Sequence, residues 1–233
     1  MRWRAVALSQ PPYSFVIPVL NEAGRVRELL LALRRRFPDA ELIVVDGGSA
    51  DSTAAQAAPH CDRLLHSPAG RARQMNCGAR EARGRYLFFL HVDSCPGVEA
   101  PRLAAYLASA PLWGFSRVQL SGERHAFRVI SAFINWRSRL TGIGTGDQML
   151  FIRRDALHGA VCFDDIPLME DVAFCKRMRR QGPPLVLAEP VLTSSRRWQE
   201  HGVVRTVLTM WALRLAYALG TPPERLWRIY YGS

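Results

Sequence analysis

Acidic and amide side chains follow three apolar runs of this chain, at the point where each run ends. Asn21 and Glu22 follow "FVIPV", Asp46 closes "ELIVVD", and Asp93 follows "LFFLHV". A single such side chain is usually a turn or helix cap. In an open α/β sheet, however, ligands bind outside the carboxyl ends of the strands, which lie at one edge. One shared binding site explains these three ends better than three unrelated caps do.

A second group of polar side chains opens a predicted helix after "SPAG". Arg71, Arg73 and Gln74 stand at its start, where free backbone N–H groups and guanidinium groups favour an anion. A solvated cation is the alternative for Arg71, and the case for Arg73 is weaker. No G-x-G-x-x-G or Walker-type phosphate loop occurs, and "DGGSADS" lacks the third glycine. These absences disfavour an NAD-type oxidoreductase.

In the first half of the chain, apolar runs bounded by turn residues alternate with segments of helical period. "SFVIPV", "ELIVVD", "RLLH" and "YLFFLHV" have the length and composition of strands. This βαβα order predicts an α/β fold, with a mainly parallel sheet covered by helices on both faces. The second half predicts a mixed sheet, with helices over 98–109, 125–139, 169–181 and 203–219 and strands over 113–122, 149–153 and 184–188.

The composition predicts one domain over residues 1–233, with residues 201–233 as a helical extension packing on it. The chain has 233 residues, 48% of them hydrophobic, which is enough for a sizeable core. A formal charge of +11 fits polyanionic partners, such as nucleic acid, an anionic membrane or a phosphorylated substrate. Five cysteines without C-x-x-C spacing predict neither disulfides nor a zinc site. With no signal-peptide pattern, the expected location is the cytoplasm.

Five stretches resemble family 2 glycosyltransferases of GT-A fold: "FVIPVLNEAGRVRELLLAL", "ELIVVDGGSADST", "GRARQMNCGAREARGRYLFFLHVDS", "GTGDQMLFIRRDAL" and "MEDVAF". Within that family the chain is most similar to the compact bacterial subgroup associated with arsenosugar or selenium pathways. The resemblance implies a Rossmann-like GT-A sheet and an inverting transfer. It also implies a nucleotide diphosphate sugar donor, most often a UDP-sugar, and an unknown small-molecule or lipid acceptor.

The resemblance assigns the strand ends to the donor. A nucleotide needs fixed acceptors, which Glu22 and Asp46 can supply, although each can also be a simple cap. A diphosphate needs Mg²⁺ or Mn²⁺, and Asp93 is the candidate metal ligand. The usual D-x-D is His91-Val92-Asp93 here, so His91 is a candidate for the ribose, for the metal or for a structural role. The implied nucleotide-binding residues are Pro18, Asn21, Glu22, Asp46, Gly47, Arg71, Gln74, His91 and Val92.

Three later stretches supply the acceptor side by resemblance. Asp171 in "MEDVAF" is the candidate general base, and Glu170 is expected to orient the acceptor or support the loop, although first-turn acids also complement a helix dipole. "TGIGTGDQM" allows close backbone approach to a ligand, or it is a flexible turn. "SSRRWQEHG" is a phosphate clamp with a sugar-stacking face, or an ordinary basic loop. The implied acceptor and diphosphate residues are Gly146, Asp147, Gln148, Glu170, Arg196, Arg197 and Trp198.

The apolar segment 203–219 is interrupted by Arg205 and Arg214 and is too short and too charged to predict a membrane span. A core helix or a homodimer contact is expected, with peripheral membrane contact as the minority alternative. Two other functional classes remain open. A noncatalytic nucleotide-sugar-binding or regulatory protein would explain the altered His91 motif. A nucleic-acid-binding domain would explain the charge, but no strip of aromatic and basic residues is present, so no nucleic acid partner is expected.

Overall fold

The computed structural model describes residues 10–157 and 162–232. Its strands are β1 (Tyr13–Val19), β2 (Glu41–Asp46), β3 (Arg63–His66), β4 (Tyr86–Phe89), β5 (Ser94–Pro96), β6 (Trp113–Leu120), β7 (Phe151–Arg153) and β8 (Leu185–Thr193). Its helices are α1 (Val26–Arg36), α2 (Thr53–Ala57), α3 (Arg71–Glu81), α4 (Ala100–Leu107), α5 (His125–Thr141), α6 (Glu170–Arg179), α7 (Arg196–His201), α8 (Val203–Ala218) and α9 (Pro223–Tyr231).

The strands form one mixed sheet in the order β3-β2-β1-β4-β7-β6-β8-β5. β1 is parallel to β2 and β4, and β2 is parallel to β3. β7 is antiparallel to β4 and β6, while β8 is parallel to β6 and antiparallel to β5. All of β2 is buried, which explains its uninterrupted apolar run. The predicted α/β fold with a mixed, mainly parallel sheet is confirmed.

Helices cover both faces of this sheet. On one face, α1 and α4 pack on a cluster that includes Phe15, Phe88 and Phe151. On the other face, α3 and α6 pack on a second cluster that includes Phe89 and Phe174. Successive strand residues point to opposite faces, so neighbouring Phe88 and Phe89 belong to different clusters. The sheet is thereby held between two apolar layers that fix the positions of its strand ends.

The C-terminal helices contact α6 through a small third cluster. Leu213 of α8 and Leu226 of α9 pack there with Met169 and Val172, which flank the start of α6. Among the residues described, no helix is long and apolar enough to cross a membrane. The division of the chain into a domain and an extension stays a prediction.

Candidate functional site

The loops after β1 and β2 are tied to each other at the carboxyl edge of the sheet. The backbone N–H of Asn21 donates to Ser49 Oγ at 2.9 Å, and the Asn21 side-chain oxygen accepts from the Ala50 N–H at 2.9 Å. Asp46 is buried at the end of β2. Its carboxylate accepts from the Ser49 N–H at 3.1 Å and from the Ser49 hydroxyl at 2.5 Å. These strand ends therefore meet at one place.

Glu22 extends the same edge. Its backbone N–H donates to Thr53 Oγ1 at 2.7 Å, and its carboxylate accepts from the Arg25 guanidinium at 2.5 Å. An ionised carboxylate offers about four acceptor positions, so one guanidinium leaves room for a further donor. Pro18 lies four residues before Glu22, inside β1, and is opposite Val45 in the parallel register.

Gln74 braces the ends of β1 and β2 from α3. The side chain is buried, and its amide N–H groups donate to the backbone carbonyls of Val19 and Val45, both at 2.8 Å. Gly47 lies against it, since a Cβ at residue 47 would be 3.0 Å from the Gln74 amide. The structure thus places Gln74, which was expected at the nucleotide, underneath the strand ends with both amide hydrogens bonded to the backbone.

Arg71 and Glu170 join the start of α3 to the start of α6, with 3.5 Å between Nη1 and Oε1. Glu170 is only 3% exposed. Burial raises the pKa of its carboxyl, and the neighbouring charge of Asp171 raises that pKa further, against a smaller opposing effect of Arg71. Arg73 points elsewhere and pairs with Asp165, at 2.9 Å between Nε and Oδ1.

Asp171 is held at the N-terminus of α6 by two backbone N–H groups. Gly146 donates to its Oδ2 at 2.9 Å, and Val172 donates to its Oδ1 at 2.7 Å. These bonds fix the carboxylate and leave each oxygen with another lone pair for an incoming proton donor. The structure therefore brings together Asp171 and the glycine-rich loop, two features expected on the acceptor side.

His91 packs against the same loop. Its Nδ1 lies 3.5 Å from Asp147 Oδ1. A Cβ on Gly146 would be 2.5 Å from His91 Cε1, so glycine is required at that close approach. Within the described ranges, His91 Nε2 is buried and has no hydrogen-bond partner. Buried polar atoms are nearly always paired, so this nitrogen is an exception that a bound water or ligand group would explain.

Asp93 stands exposed in the turn between β4 and β5. Its Oδ1 accepts from the Ser94 hydroxyl at 3.3 Å, and Val92 beside it is buried. Over residues 10–157 and 162–232, no cluster of three or more His, Cys, Asp or Glu side chains could hold a metal. A single exposed carboxylate still fits Mg²⁺, which proteins often bind through one or two carboxylates, with substrate phosphates and waters as the other ligands.

Gln148 fastens the glycine-rich loop from behind. The side chain is fully buried. Its Oε1 accepts from the Ser138 hydroxyl at 2.8 Å and from the Thr145 N–H at 3.1 Å, and its Nε2 donates to the Ser116 carbonyl at 3.2 Å. These bonds join the loop to α5 and β6, whereas the neighbouring Asp147 is 59% exposed.

An apolar cleft adjoins this cluster between α5 and α8. Trp198, Thr145 and Asp147 are part of its lining, together with Arg137 from α5. Sequence reasoning missed Arg137, because it reads as one of several arginines on an apolar helix and no spacing singles it out. Only the packing of α8 across α5 shows that this arginine is turned inward.

Arg196 and Arg197 are the other two residues of α7 that were predicted to belong to the site. Arg196 is exposed at the first position of the helix, and its backbone N–H donates to the Ser194 hydroxyl at 3.2 Å. The side chain of Arg197 lies outside the part of the chain that the structure describes.

Three backbone outliers flank the site. Asn21, Met149 and Met169 have φ angles of 55°, 46° and 69°, a region that costs free energy for residues other than glycine. They lie after β1, after the glycine-rich loop and immediately before Glu170. The fold thus holds strained backbone at the segments that carry the polar cluster, as functional sites often do.

Comparison with known sequences identifies the family of this chain. The profile of glycosyl transferase family 2 matches residues 14–156. An uncharacterized glycosyltransferase from Rickettsia prowazekii is 33% identical over 87 residues, which are 36% of this chain and 27% of that protein. The matched relative is therefore much longer than the shared segment.

The fold is similar to that of S. aureus TarS 1–349, with a TM-score of 0.63, 17% identity, and coverage of 79% of this chain and 60% of that chain. It is also similar to the mannosyltransferase PcManGT from Pyrobaculum calidifontis in complex with GDP-Man and Mn²⁺, with a TM-score of 0.56, 18% identity, and coverage of 79% and 56%. These similarities confirm the GT-A fold. With the family profile matching more than half of its residues, the chain belongs to glycosyl transferase family 2.

Proposed function

We propose that the protein is a glycosyltransferase that transfers a sugar, with inversion at its anomeric carbon, from a nucleotide diphosphate sugar to an acceptor. The proposed donor is a UDP-sugar. One observation carries this proposal. Asp171 accepts a hydrogen bond from the Gly146 N–H at 2.9 Å. It lies in a cluster with Arg71 and His91, beside the ends of β1, β2 and β4. This grouping supports roles for Asp171 as general base, for Arg71 as anion partner and for the strand ends as nucleotide acceptors.

The donor lies over the strand ends in this proposal. Asn21, Glu22 and Asp46 accept from the base and ribose, and the buried Nε2 of His91 pairs with a ribose hydroxyl. Pro18, Gly47 and Val92 shape the backbone around the donor, while Gln74 supports the strand ends from below. Related folds have been solved with nucleotide sugars: TarS 1–349 with UDP-GlcNAc and PcManGT with GDP-Man.

The reaction is a direct displacement at the anomeric carbon of the sugar. The acceptor hydroxyl oxygen forms a bond to that carbon while the bond to the diphosphate breaks, and the diphosphate leaves with the electron pair. Asp171 takes the proton of the hydroxyl. Arg71 stabilises the departing diphosphate, and Arg196, Arg197 and Trp198 contact it or the acceptor. Inversion follows from attack opposite to the leaving group.

Asp93 is the residue proposed to hold Mn²⁺ or Mg²⁺ at the diphosphate. The cation, when bound, would neutralise charge that develops on the leaving group. The exposed carboxylate of Asp93 suits such a hard cation. A metal complex of a similar fold supports this role, since PcManGT was solved with Mn²⁺.

A thermal-shift panel tests the donor site. Wild-type protein, Asp93→Ala and the control Asp39→Ala, which replaces another exposed aspartate, are melted with UDP-, GDP-, dTDP- and CMP-sugars, with and without Mn²⁺. A donor at about 100 times its Kd stabilises the folded state by about 2.7 kcal/mol. We expect one donor to raise the Tm only with Mn²⁺, in wild type and Asp39→Ala but not in Asp93→Ala. No shift with any donor contradicts the proposal.

A further inference from the structure

Two helices carry apolar side chains on their outer surface at helical spacing. On α5 the stripe consists of Val129, Phe133, Trp136 and Leu140; on α8 and its C-terminal cap it consists of Leu208, Trp211, Leu215 and Leu219. Leu140 and Leu215 are 71% and 62% exposed. We call these residues the outer stripes. Spacings of three and four place each set on one helix face, so they form contiguous apolar surface and not scattered exposed residues.

The two outer stripes meet at a cleft. The rings of Phe133 and Trp211 stack across it with their centroids 5.3 Å apart. The cleft has a volume of about 290 Å³, and its lining includes Val129 and Met210 as well as Asp147. It is therefore apolar surface that continues from the outside of the molecule to the cluster around Asp171.

Arg137 of α5 and Arg214 of α8 supply cations within this otherwise mainly apolar lining, and Arg137 is the more informative of the two. Its Nε is buried and unpartnered among the described residues, and one of its terminal amino groups donates to Ser138 Oγ at 2.9 Å. Burial lowers the pKa of its guanidinium, and the charge of Asp171 acts in the opposite direction. A buried N–H on a charged group is costly when it is unpaired. An oxygen of an anionic head group would satisfy it.

The charge around the outer stripes has one dominant sign. The segments of α5, α8 and α9 contain seven arginines and one acidic residue, Glu224. A second copy of the chain would bring two such faces together and is disfavoured by repulsion. An anionic membrane complements the surface, because interfacial helices combine apolar and aromatic residues with flanking arginines.

We propose that the outer stripes seat the protein on an anionic membrane and that the cleft receives the apolar chain of a lipid acceptor, whose anionic head group lies at Arg137. The acceptor role rests on the proposed glycosyl transfer, whereas the seating on the membrane does not. The position of Asp147 in the cleft lining places the accepting end of such a lipid next to the cluster that contains Asp171.

Vesicle sedimentation tests the seating. Phosphatidylcholine vesicles with and without phosphatidylglycerol are mixed with wild type, with the double variant Leu140→Glu/Leu215→Glu, and with the control Leu31→Glu/Leu192→Glu, whose leucines are exposed elsewhere. We expect wild type and control to bind vesicles that contain phosphatidylglycerol, and the double variant to bind at least about tenfold more weakly. Wild type that stays in the supernatant, or a double variant that sediments equally, overturns the proposal. Light scattering that shows a dimer in place of vesicle binding also overturns it.

Tryptophan emission tests the cleft without any donor. Octyl phosphate is titrated against wild type, Arg137→Met and the control Arg128→Met, which removes an exposed arginine from the same helix. We expect octyl phosphate to shift the emission at concentrations where inorganic phosphate does not, and Arg137→Met to bind about tenfold more weakly, a loss of about 1.4 kcal/mol. Equal affinity of wild type and Arg137→Met overturns the head-group assignment. Because neither test measures transfer, a failed donor panel and a failed cleft test are distinguishable.

Discussion

Glu170 and Asp171 are adjacent acids in the same helical turn, yet their surroundings differ. Glu170 is buried against Arg71, and burial raises the pKa of its carboxyl. Asp171 is half-buried and is fixed by backbone N–H groups from Gly146 and Val172. Neighbouring carboxyls in unlike environments can take unlike roles. These unlike surroundings support the proposal that Asp171 takes the proton and that Glu170 positions the loop and the helix start.

Asp171→Asn should separate binding from transfer. An asparagine oxygen can still accept from the Gly146 N–H, although the bond from the Val172 N–H is lost. The loop therefore stays tied to the helix and donor binding is retained, but the amide cannot take a proton. We expect the donor-induced Tm shift to remain and the transfer rate to fall by about 10²–10⁴. The comparison is with Asp155→Asn, an exposed aspartate paired with Arg153. An Asp171→Asn protein with normal turnover would remove Asp171 from the role of base.

Glu170→Gln should change the pH dependence of stability. Because the folded-state pKa of Glu170 lies above its ordinary value of 4.5, ionisation costs the folded state more than the unfolded state, so stability falls as pH rises through that range. Replacing the carboxyl removes this cost. We expect Tm of the variant relative to wild type to increase from acid to neutral pH, by about 2–4 °C per kcal/mol recovered. The exposed Glu123→Gln is the control, and a parallel pH profile for both variants would refute the assignment.

At the scale of elements, the alternation of apolar runs predicted β1 to β4 and the helices between them. β5 and α7 were not predicted, and α9 was predicted only as part of the helical extension over residues 201–233. β5 is three residues long and contains a proline, so it has no strand pattern of its own and depends on pairing with β8. The prediction that β4 continues to Val92 was also wrong, because the strand ends at Phe89. Long periodic segments can therefore be predicted from the sequence, whereas short elements depend on tertiary pairing.

The location of the candidate site could also be predicted in part from the sequence. The residues at strand ends were visible because parallel strands place their carboxyl ends at one edge. The inward position of Arg137 and the buried positions of Gln74 and Gln148 were not visible, because each depends on which elements pack together. Residue types supported a hypothesis about the chemistry, whereas only packing showed which side chains face solvent and which brace the backbone.

Gln74→Leu tests the brace between β1 and β2. Leucine keeps the volume and leaves the carbonyls of Val19 and Val45 without their side-chain donors. A buried group left without a partner costs about 1–3 kcal/mol. Because the Val19 carbonyl keeps the Gly47 N–H at 3.0 Å, we expect a loss near the lower end of that range in the free energy of unfolding by urea. Gln56→Leu is the control, since the Gln56 amide bonds only Ser52 Oγ at an exposed position. Equal losses would show that the bonds of Gln74 contribute nothing specific.

At the scale of the whole molecule, the sheet consists of a parallel half around β1 and a second half that begins with the antiparallel β7. Phe88 of β4 lies at their boundary, with its ring centroid 5.4 Å from that of Phe15 and 5.1 Å from that of Phe151. The aromatic layer therefore connects the parallel half, which ends in Asp46 at β2, with the half that begins at β7. The subgroup within the family and the cytoplasmic location stay predictions, whereas the homodimer contact is now the alternative that light scattering would detect.

Phe88→Ala should destabilise the whole molecule. The side chain is fully buried, and truncating such a phenylalanine costs about 3–5 kcal/mol, because it removes apolar contacts and leaves a cavity. We expect one cooperative urea transition with a lower midpoint. Phe133→Ala is the matched control, since its ring is 38% exposed and its removal costs less. Two separate transitions would show that the halves unfold independently.

The position of β7 between β4 and β6 has a consequence for synthesis on the ribosome. β1 to β4 come from the first part of the chain, but the partner on the outer side of β4 is residues 151–153. Until those residues emerge, "YLFF" presents an unpaired, apolar strand edge, and such edges recruit strands from other chains. Nascent chains that stall between residues 90 and 150 are therefore the species most in need of chaperones.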